Sequence, residues 1–221
     1  ERHAPPALAL SFVHEPHILG TGGGLRNAWR PRDGEAFVVM NGKLVFAPNL
    51  SAAIVRHREC DAIATLVLRS LPAGESFGAV EVDSASWVRT LRGLPATRDS
   101  AGLTRLMFTG VQVLSARAWR DLPEDGDIIE HAYLPWLARG ERVLGVVDDS
   151  PWLDIGISPR HYLEANLALA SGRVAWPGIV PAAGAVLAGA GASIGAGASV
   201  ADAVLGPGAT DWSGNLIVFR Y

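Results

Sequence analysis

The ten residues FVVMNGKLVF, Phe37 to Phe46, decide between two folds for this chain. Four apolar residues lead into Asn41-Gly42, and an unbroken apolar run of this kind is typical of a central strand that is covered on both faces. Asn-Gly is also a common hairpin tip, but a hairpin needs a matching return strand, and Pro48 soon ends the segment that follows. The pattern therefore favours a strand end, which is where open α/β sheets bind ligands.

Apolar runs alternate with helical patterns along the rest of the chain, which predicts an α/β fold with helices layered on a sheet. The predicted strands are Ala7–His14, Phe37–Met40, Ala62–Arg69, Gly78–Val82, Trp87–Leu91, Leu106–Leu114 and Val143–Val147. The predicted helices lie in Ile18–Trp29 after a glycine-rich loop, in Ser51–Glu59 with Ser51 as N-cap, in Ile128–Ala138 with a bend or an interruption at Pro135, and in Pro159–Leu169.

The composition is that of a globular protein, with 221 residues, 49% of them hydrophobic, and a net charge of −3. No long basic run is present, so we expect no nucleic-acid partner. One cysteine, Cys60, excludes a disulfide framework within the chain. No apolar run approaches the roughly 18 residues of a membrane span, so we expect no membrane partner and a cytoplasmic location.

The composition changes after Arg173, and residues 177–209 are mostly Gly, Ala, Val, Ile and Ser. AGAGAS at Ala188 is followed by IGAGAS at Ile194 and then by Val200, so the pattern repeats every 6 residues. Such a segment is either a flexible low-complexity tail or a short hexapeptide-repeat β-helix. Because the aliphatic residue keeps its place in the repeat, the period favours the β-helix.

The segment LGTGGGLRNA begins at Leu19 and holds glycine at positions 20, 22, 23 and 24. Glycines let backbone N–H groups approach an anion at a helix N-terminus, although the same residues also occur in a plain strand-to-helix loop. Neither the P-loop pattern nor G-x-G-x-x-G is present. The number of glycines favours a close backbone approach to a ligand.

Three further features carry weaker signals. In WLDIG, Asp154 is either the cap of a turn or an oxygen ligand of the kind that Mg²⁺ prefers. In FTGV, Gly110 marks either a β-bulge or the close approach of a ligand, and the bulge is favoured. The six histidines show no metal-ligand spacing, so we interpret them as surface or structural residues.

The order of the motifs is more specific than any one of them. Taken together they resemble the sugar-phosphate nucleotidyltransferases, or NDP-sugar pyrophosphorylases, and within them the branch like mannose-1-phosphate guanylyltransferase. The motifs are E-P-x-x-L-G-T-x-G-x-L at Glu15–Leu25, N-G at Asn41-Gly42, F-G-A-V-E-V-D at Phe77–Asp83, F-T-G-V at Phe108, W-L-D-I-G at Trp152, Y-L-E-A-N at Tyr162 and the hexapeptide repeats.

The resemblance implies a Rossmann-like, GT-A-like mixed sheet with a C-terminal left-handed hexapeptide-repeat β-helix. It implies an enzyme that joins a nucleoside triphosphate to a sugar 1-phosphate, with GDP-mannose or a similar NDP-sugar as product, pyrophosphate as by-product and Mg²⁺ as cofactor. It also implies that Asp154 is catalytic and binds the metal. The other implied site residues are Leu19, Gly20, Thr21, Gly22, Gly23, Asn41 and Gly42 for the nucleotide, and Gly78 and Gly110 for the sugar.

The chain departs from the family pattern at the second metal ligand. The family has N-G-D where this sequence has N-G-K, so Lys43 stands where the resemblance implies an aspartate. A protonated lysine has no lone pair for a metal ion. The alternative function is therefore a catalytically inactive homologue, a regulatory or scaffold subunit that binds a sugar nucleotide or a catalytic partner.

The family's glycine-rich opening signature would precede everything in this sequence. We therefore expect a nucleotidyltransferase-like domain over residues 1–173 that lacks its first strand-loop-helix unit, and a β-helical tail over residues 174–221. The chain would then be a fragment of a longer product. The repeats also suggest a homo-oligomer built by packing of the tails.

Overall fold

The structure is a computed structural model, and it describes residues 9–32, 34–71, 79–95, 101–176, 186–195, 199–201, 203–211 and 216–218. The contacts within the chain divide it into two units. The first unit consists of Glu1–Asn41 and Pro48–Asp149, and the second of Gly42–Ala47 and Ser150–Tyr221. The domain boundary expected between residues 173 and 174 stays a prediction.

The described elements alternate along the chain, as the sequence predicts. The strands are β1 (Ala36–Met40), β2 (Leu44–Phe46), β3 (Ala64–Ser70), β4 (Ala79–Val82), β5 (Val88–Leu91), β6 (Thr104–Ser115), β7 (Val143–Val147), β8 (Trp152–Asp154), β9 (Val186–Ala188), β10 (Ser193–Ile194), β11 (Ser199–Ala201), β12 (Ala203–Leu205), β13 (Thr210–Asp211) and β14 (Leu216–Val218). The α-helices are α1 (Gly20–Ala28), α2 (Leu50–Glu59), α3 (Leu134–Ala138) and α4 (Pro159–Ala170), with a 3₁₀ segment at Ala116–Asp121 and a π-helical turn at Ile129–Tyr133.

Six of the described strands form the sheet of the first unit, in the order β5-β4-β6-β3-β7, with β1 also paired to β6. Strands β3 and β7 are parallel, whereas the remaining pairs in this sheet are antiparallel. The sheet is therefore mixed, as expected. Five consecutive residues of β3 are buried, which explains why the strand reads as an unbroken apolar run.

Strand β1 differs from the prediction that it is central and covered on both faces. Among the described strands it pairs only with the C-terminal half of β6, Val111 to Ser115. Its side chains alternate between half-buried and exposed, and Val38 and Met40 are 37% and 41% exposed. An apolar run alone cannot distinguish an edge strand from a central one, because both can be rich in β-branched residues.

The hairpin alternative is excluded, because β2 does not return along β1. Instead β2 pairs antiparallel with β8, with Leu44 opposite Asp154 and Phe46 opposite Trp152. Asn41-Gly42 therefore follows a strand end, as the sequence favours. The pairing places Lys43, which directly precedes β2, beside the end of β8.

The helices follow the prediction with local corrections. Helix α1 begins at Gly20, so the glycines lie inside the helix and not in a loop before it. Asn49, not Ser51, is the N-cap of α2, and its Oδ1 accepts a hydrogen bond from the N–H of Ala52 at 3.0 Å. Pro135 is an early residue of α3, which directly follows a π-helical turn, so the helix changes type beside the proline while its backbone stays helical and is not interrupted.

The strand predicted for Ala7–His14 is not formed in its described part. Ala7 and Leu8 lie outside the described residues, and residues 9–14 adopt no regular structure and are exposed. Alternation of apolar residues suits a strand only where a neighbouring strand accepts its hydrogen bonds.

The core of the first unit lies between the sheet and the helical segment that contains Tyr133 and Trp136. Both aromatic side chains are fully buried, and their rings meet edge to face with centroids 5.0 Å apart. Each polar atom has a partner: Tyr133 donates to Gln112 at 2.6 Å and the Trp136 indole donates to Asp121 at 2.7 Å.

The described strands of the tail form three parallel pairs. Val186 is opposite Ala203, Ser193 is opposite Thr210 and Ser199 is opposite Leu216, so each partner lies 17 positions further along the chain. Helix α4 packs against β9 and β12 within the second unit. In the part of the chain described here, no helix is long and apolar enough to cross a bilayer.

Candidate functional site

The glycine segment of α1 is in close contact with the loop at Gly126. The N–H of Gly22 donates to the carbonyl of Gly126 at 2.9 Å, and the N–H of Gly126 donates to the carbonyl of Leu19 at 2.9 Å. A Cβ at Gly20 would lie 2.6 Å from the Gly126 carbonyl oxygen, and one at Gly23 would lie 2.6 Å from that of Glu124. Packing within the chain thus accounts for these glycines.

Thr21 is also held by this loop. Its hydroxyl donates to Asp127 at 3.1 Å and accepts the N–H of Ile128 at 2.9 Å. The predicted nucleotide-binding segment is therefore the start of a helix that is hydrogen-bonded to the loop at residues 126–128. Thr21 lies on the exposed side of this helix. A nucleotide role for Leu19 to Gly23 stays a prediction.

The structure brings together two other predicted site residues, Asn41 and Gly110. The N–H of Asn41 donates to the carbonyl of Gly110 at 3.0 Å. Gly110 has φ +83° and lies where the register of β3 against β6 shifts between Val67 and Leu68. The bulge favoured by the sequence is confirmed, and it re-aims the strand beside the end of β1.

Gly42 and Gly78 complete the predicted set. Gly42 is exposed, and a Cβ built on it would meet no atom within 4 Å. Gly78 lies outside the described residues. Their assignment to nucleotide and sugar stays a prediction.

Lys43 and Asp154 form an ion pair in the second unit. The Lys43 ammonium lies 2.7 Å from Oδ2 of Asp154, and the two side chains are 44% and 3% exposed. The other carboxylate oxygen, Oδ1, accepts the N–H of Gly156 at 2.9 Å. The N–H of Ile155 donates to the carbonyl of Lys43 at 3.0 Å, which ties the two segments together through the backbone as well.

Gly156 provides the room for this ion pair. A Cβ at Gly156 would lie 2.5 Å from Cδ and 3.0 Å from Cβ of Lys43. The alkyl chain of Lys43 therefore runs directly over Gly156 to reach the carboxylate. The resemblance to the family implies that Lys43 and Asp154 occupy the two ligand positions of one metal site. Their direct ion pair depends on the pairing of β2 with β8, which the sequence did not predict.

The residues around Asp154 do not fit a divalent metal ion. Both carboxylate oxygens already have partners within the chain, and one of these is a cation. Mg²⁺ needs several oxygen ligands in a near-octahedral arrangement. In the described part of the chain, no three His, Cys, Asp or Glu side chains are grouped so that they could hold a metal ion.

A second buried ionisable group is His57, which the sequence indicates to be a surface or structural residue and which the structure shows to be structural. It is 3% exposed, with Nδ1 2.9 Å from the Thr65 hydroxyl and Nε2 3.0 Å from that of Ser115. Ser115 donates its own proton to the carbonyl of Ala62, so Nε2 is the protonated nitrogen and Thr65 donates to Nδ1.

The surroundings of His57 keep its ring neutral. Burial, with the nearby Arg117 and Arg58 acting in the same direction, lowers the pKa of His57 to about 4. A surface cavity of about 300 Å³ is lined partly by His57 and Arg117. Arg117 donates to both the side chain and the carbonyl of Asp61, so its charge is compensated. We assign this cluster to stability.

Comparison with known proteins gives a consistent result. The profile of the family described as Nucleotidyl transferase matches residues 6–172. The mannose-1-phosphate guanylyltransferase of Mycobacterium tuberculosis is 29% identical over 168 residues, which are 75% of this chain and 45% of that protein. The D-glycero-alpha-D-manno-heptose 1-phosphate guanylyltransferase of Aneurinibacillus thermoaerophilus is 32% identical over 163 residues, 73% of this chain and 68% of that protein.

A solved structure supports the fold. The UDP-glucose pyrophosphorylase from Acinetobacter baumanii superposes with a TM-score of 0.59 at 19% identity, over 80% of this chain and 64% of that one. At this identity the likeness concerns the fold alone. The present chain spans less than half of the mycobacterial relative and about two thirds of the pyrophosphorylase.

Proposed function

The chain belongs to the nucleotidyl transferase family, and from this membership we propose that it transfers a nucleotidyl group from a nucleoside triphosphate to a sugar 1-phosphate. Its relatives are sugar-1-phosphate nucleotidyltransferases, which are enzymes. The observation that carries the proposal is the family match, which extends over residues 6–172 and thus over the whole described sheet.

The proposed reaction needs no covalent intermediate. An oxygen of the sugar phosphate attacks the α-phosphorus in line, a new P–O bond forms, and the bond to the β-phosphate oxygen breaks with release of pyrophosphate. The reacting groups are all anionic, so catalysis consists of alignment and neutralisation of charge. Members of the family typically use a divalent metal ion. Because the residues at Asp154 do not fit one, no step of the reaction is assigned to a metal there.

The roles proposed for the residues follow the family motifs. We propose that the start of α1 and Asn41-Gly42 contact the nucleotide, and that Gly110, with Gly78, contacts the sugar. The hydrogen bond from Asn41 to Gly110 supports a shared location for two of these contacts. Asp154 takes the proposed catalytic position, with Lys43 as its partner.

The proposed product is GDP-mannose or a similar NDP-sugar. Two relatives are named as guanylyltransferases, one for mannose 1-phosphate and one for a heptose 1-phosphate, whereas a third, from Synechocystis and 27% identical over 150 residues, is named as a UTP–glucose-1-phosphate uridylyltransferase. Guanosine with a manno-configured sugar is therefore the first pair to test, and uridine with glucose is the second.

We also propose that the tail is a hexapeptide-repeat β-helix. Its three described strand pairs are all parallel and share one offset of 17 positions. That offset is within one residue of three six-residue repeats, as expected if three repeats complete one coil. Packing of such tails would account for a homo-oligomer, and light scattering that shows a monomer at all concentrations would contradict it.

The test of the proposed activity is release of pyrophosphate. Wild-type protein is incubated with GTP and mannose 1-phosphate, and with UTP and glucose 1-phosphate, each with Mg²⁺. We expect turnover with at least one pair, and strong loss with Asp154→Asn. Arg160→Met removes a cation from a surface ion pair in the same unit and should leave the rate unchanged.

The Lys43→Asp variant completes this experiment. Turnover by the wild-type protein supports the enzyme. Turnover only by Lys43→Asp shows that the fold is competent and that the natural chain is a non-catalytic relative. If neither turns over with any pair in a wider panel, while circular dichroism shows both to be folded, the proposed function is wrong.

A further inference from the structure

Lys43 is the only lysine among the 221 residues, since the other 18 members of the 19 Lys and Arg residues are arginines. This single lysine pairs with a carboxylate whose side chain is only 3% exposed. The position therefore differs from the other described ion pairs, in which each cation is an arginine and each carboxylate side chain is at least 21% exposed.

The geometry suits a compact cation. An arginine carries a planar fork that binds a carboxylate through two parallel N–H groups, whereas a lysine ammonium is a point charge on a flexible stem. Here Oδ1 of Asp154 accepts the N–H of Gly156, so a two-pronged arginine fork would have to share that oxygen, whereas the lysine ammonium contacts Oδ2 alone. The stem passes over Gly156, where a Cβ would lie 2.5 Å from Cδ of Lys43.

We infer that the Lys43 ammonium is the resident cation of Asp154, which keeps divalent metal ions from that carboxylate and presents its own charge to a phosphate-bearing ligand. The exclusion of metal follows from the contacts of Asp154. The recognition of phosphate rests on the proposed function, because that function supplies the class of ligand.

Electrostatics explains the exclusion. A divalent ion that reached Asp154 would have to displace the ammonium from Oδ2 or lie within a few ångströms of it, and two like charges at that distance repel strongly in a partly buried site. Displacement would also leave the alkyl stem of Lys43 without its contact to Gly156. Binding of the metal ion to Asp154 cannot compensate for this repulsion and this lost contact, since a single carboxylate oxygen is a weak site for a hard cation.

The remaining donors of Lys43 explain the recognition of phosphate. An ammonium has three N–H groups, and only one is needed for Asp154. The side chain is 44% exposed, and its ammonium keeps two N–H groups that Asp154 does not need. A hydrogen bond from an ammonium to a phosphate oxygen is charge-assisted, and it positions the anion at the side of Lys43 away from Asp154.

Because the chain has one lysine, nuclear magnetic resonance can observe the site directly. Protein labelled with ¹³C-lysine gives one lysine Cε signal, and Mn²⁺ bound at Asp154 would broaden it. We expect no difference between wild-type protein and Asp154→Asn in the Mn²⁺ broadening of this signal. Broadening in the wild-type protein that Asp154→Asn removes would overturn the inference.

The second arm uses pyrophosphate as the probe, in EDTA, with binding measured by calorimetry. We expect Lys43→Met to weaken binding of pyrophosphate about tenfold or more, as for the loss of a charge-assisted hydrogen bond. Arg160→Met is the matched control and should bind as the wild-type protein does. Equal affinity of wild-type protein and Lys43→Met would overturn the phosphate part.

Titrations with GTP and with mannose 1-phosphate, also in EDTA, distinguish the source of the phosphate. The ligand whose affinity falls in Lys43→Met, and which shifts the Cε signal of the wild-type protein, is the one that Lys43 contacts. These readouts require no turnover. A protein that fails the turnover assay but shows both effects contradicts the proposed activity and leaves the present inference supported.

Discussion

His57 and Asp154 are buried to almost the same extent, with 3% and 6% of their surfaces exposed, but the two regions accommodate an ionisable group in opposite ways. His57 lies between two hydroxyl groups and stays neutral, because burial lowers the pKa of His57 to about 4. Asp154 stays paired with a cation, Lys43, whose own side chain remains 44% exposed.

The difference separates a structural group from a functional candidate. A buried histidine that bonds only to hydroxyl groups joins α2 to β3 and β6 and offers no charge to a ligand. A buried carboxylate with a half-exposed lysine keeps charge at the surface, where an anion can reach it. Burial alone therefore does not distinguish the two groups, and the half-exposed charged partner is what makes the pair of Lys43 and Asp154 the candidate.

The largest expected effect is the loss of folding stability at acid pH that protonation of His57 causes. The unfolded chain binds a proton at the ordinary histidine pKa of 6.5, whereas the folded chain binds it only near 4. The unfolded state therefore binds more protons between these values, and stability should fall by about 3 kcal/mol as the pH falls from 6.5 to 4.

His57→Gln tests this expectation, because glutamine keeps hydrogen-bonding capacity and does not titrate. Urea denaturation at several pH values should show a flatter pH dependence for the variant than for the wild-type protein. The two curves share the titration of every carboxylate, so their difference isolates His57. Parallel curves over the whole range would contradict the assignment.

The next effect concerns Lys43→Met. Removal of the ammonium leaves a buried carboxylate with only the N–H of Gly156, and we expect a loss of about 2 kcal/mol in the free energy of unfolding. The double variant Lys43→Met with Asp154→Asn should be more stable than Lys43→Met alone. If the double variant is less stable, the pair does not act as a unit.

Gly156→Ala should cost about 1 kcal/mol, because the new methyl group meets Cβ and Cδ of Lys43. The cost should shrink when Lys43 is first changed to Ala, since the stem is then absent. A double-mutant cycle with thermal or urea unfolding measures this coupling. Equal costs in both backgrounds would show that the strain arises elsewhere.

The smallest effect is expected at the surface. Arg160 and Glu164 form a pair one helical turn apart on α4, with side chains 58% and 53% exposed. Arg160→Met should change the free energy of unfolding by about 0.3 kcal/mol, because water screens such pairs. A loss as large as that of Lys43→Met would show that burial does not distinguish the two pairs.

Much of the fold could be predicted from local sequence. The strand Ala64–Ser70, the strand end before Asn41, the bulge at Gly110 and the helix at Pro159 all follow from patterns within a few residues. The sequence could not predict that β1 pairs, among the described strands, with β6 and with no other strand. Strand order depends on contacts between residues far apart in the chain. The cap of α2 was misplaced by two residues for a local reason, since Asn49 and Ser51 are both good caps.

The candidate site divides in the same way. Lys43 at the second metal-ligand position of the family motif and Asp154 between apolar residues are visible in the sequence. The glycines after Leu19 suggested a ligand, but the atoms that come closest to Gly20, Gly22 and Gly23 belong to residues 123–126 of the same chain. Sequence patterns show that a close approach is needed and do not show what approaches.

By itself, the sequence determined the mixed α/β class, the family motifs and the presence of a single lysine in an arginine-rich chain. Only the tertiary structure decided that this lysine is bound to Asp154. The physical reason is that the contact depends on the antiparallel pairing of β2 with β8, whose residues are more than 100 positions apart. Such a pairing is selected by the packing of the whole unit and not by the residues next to Lys43.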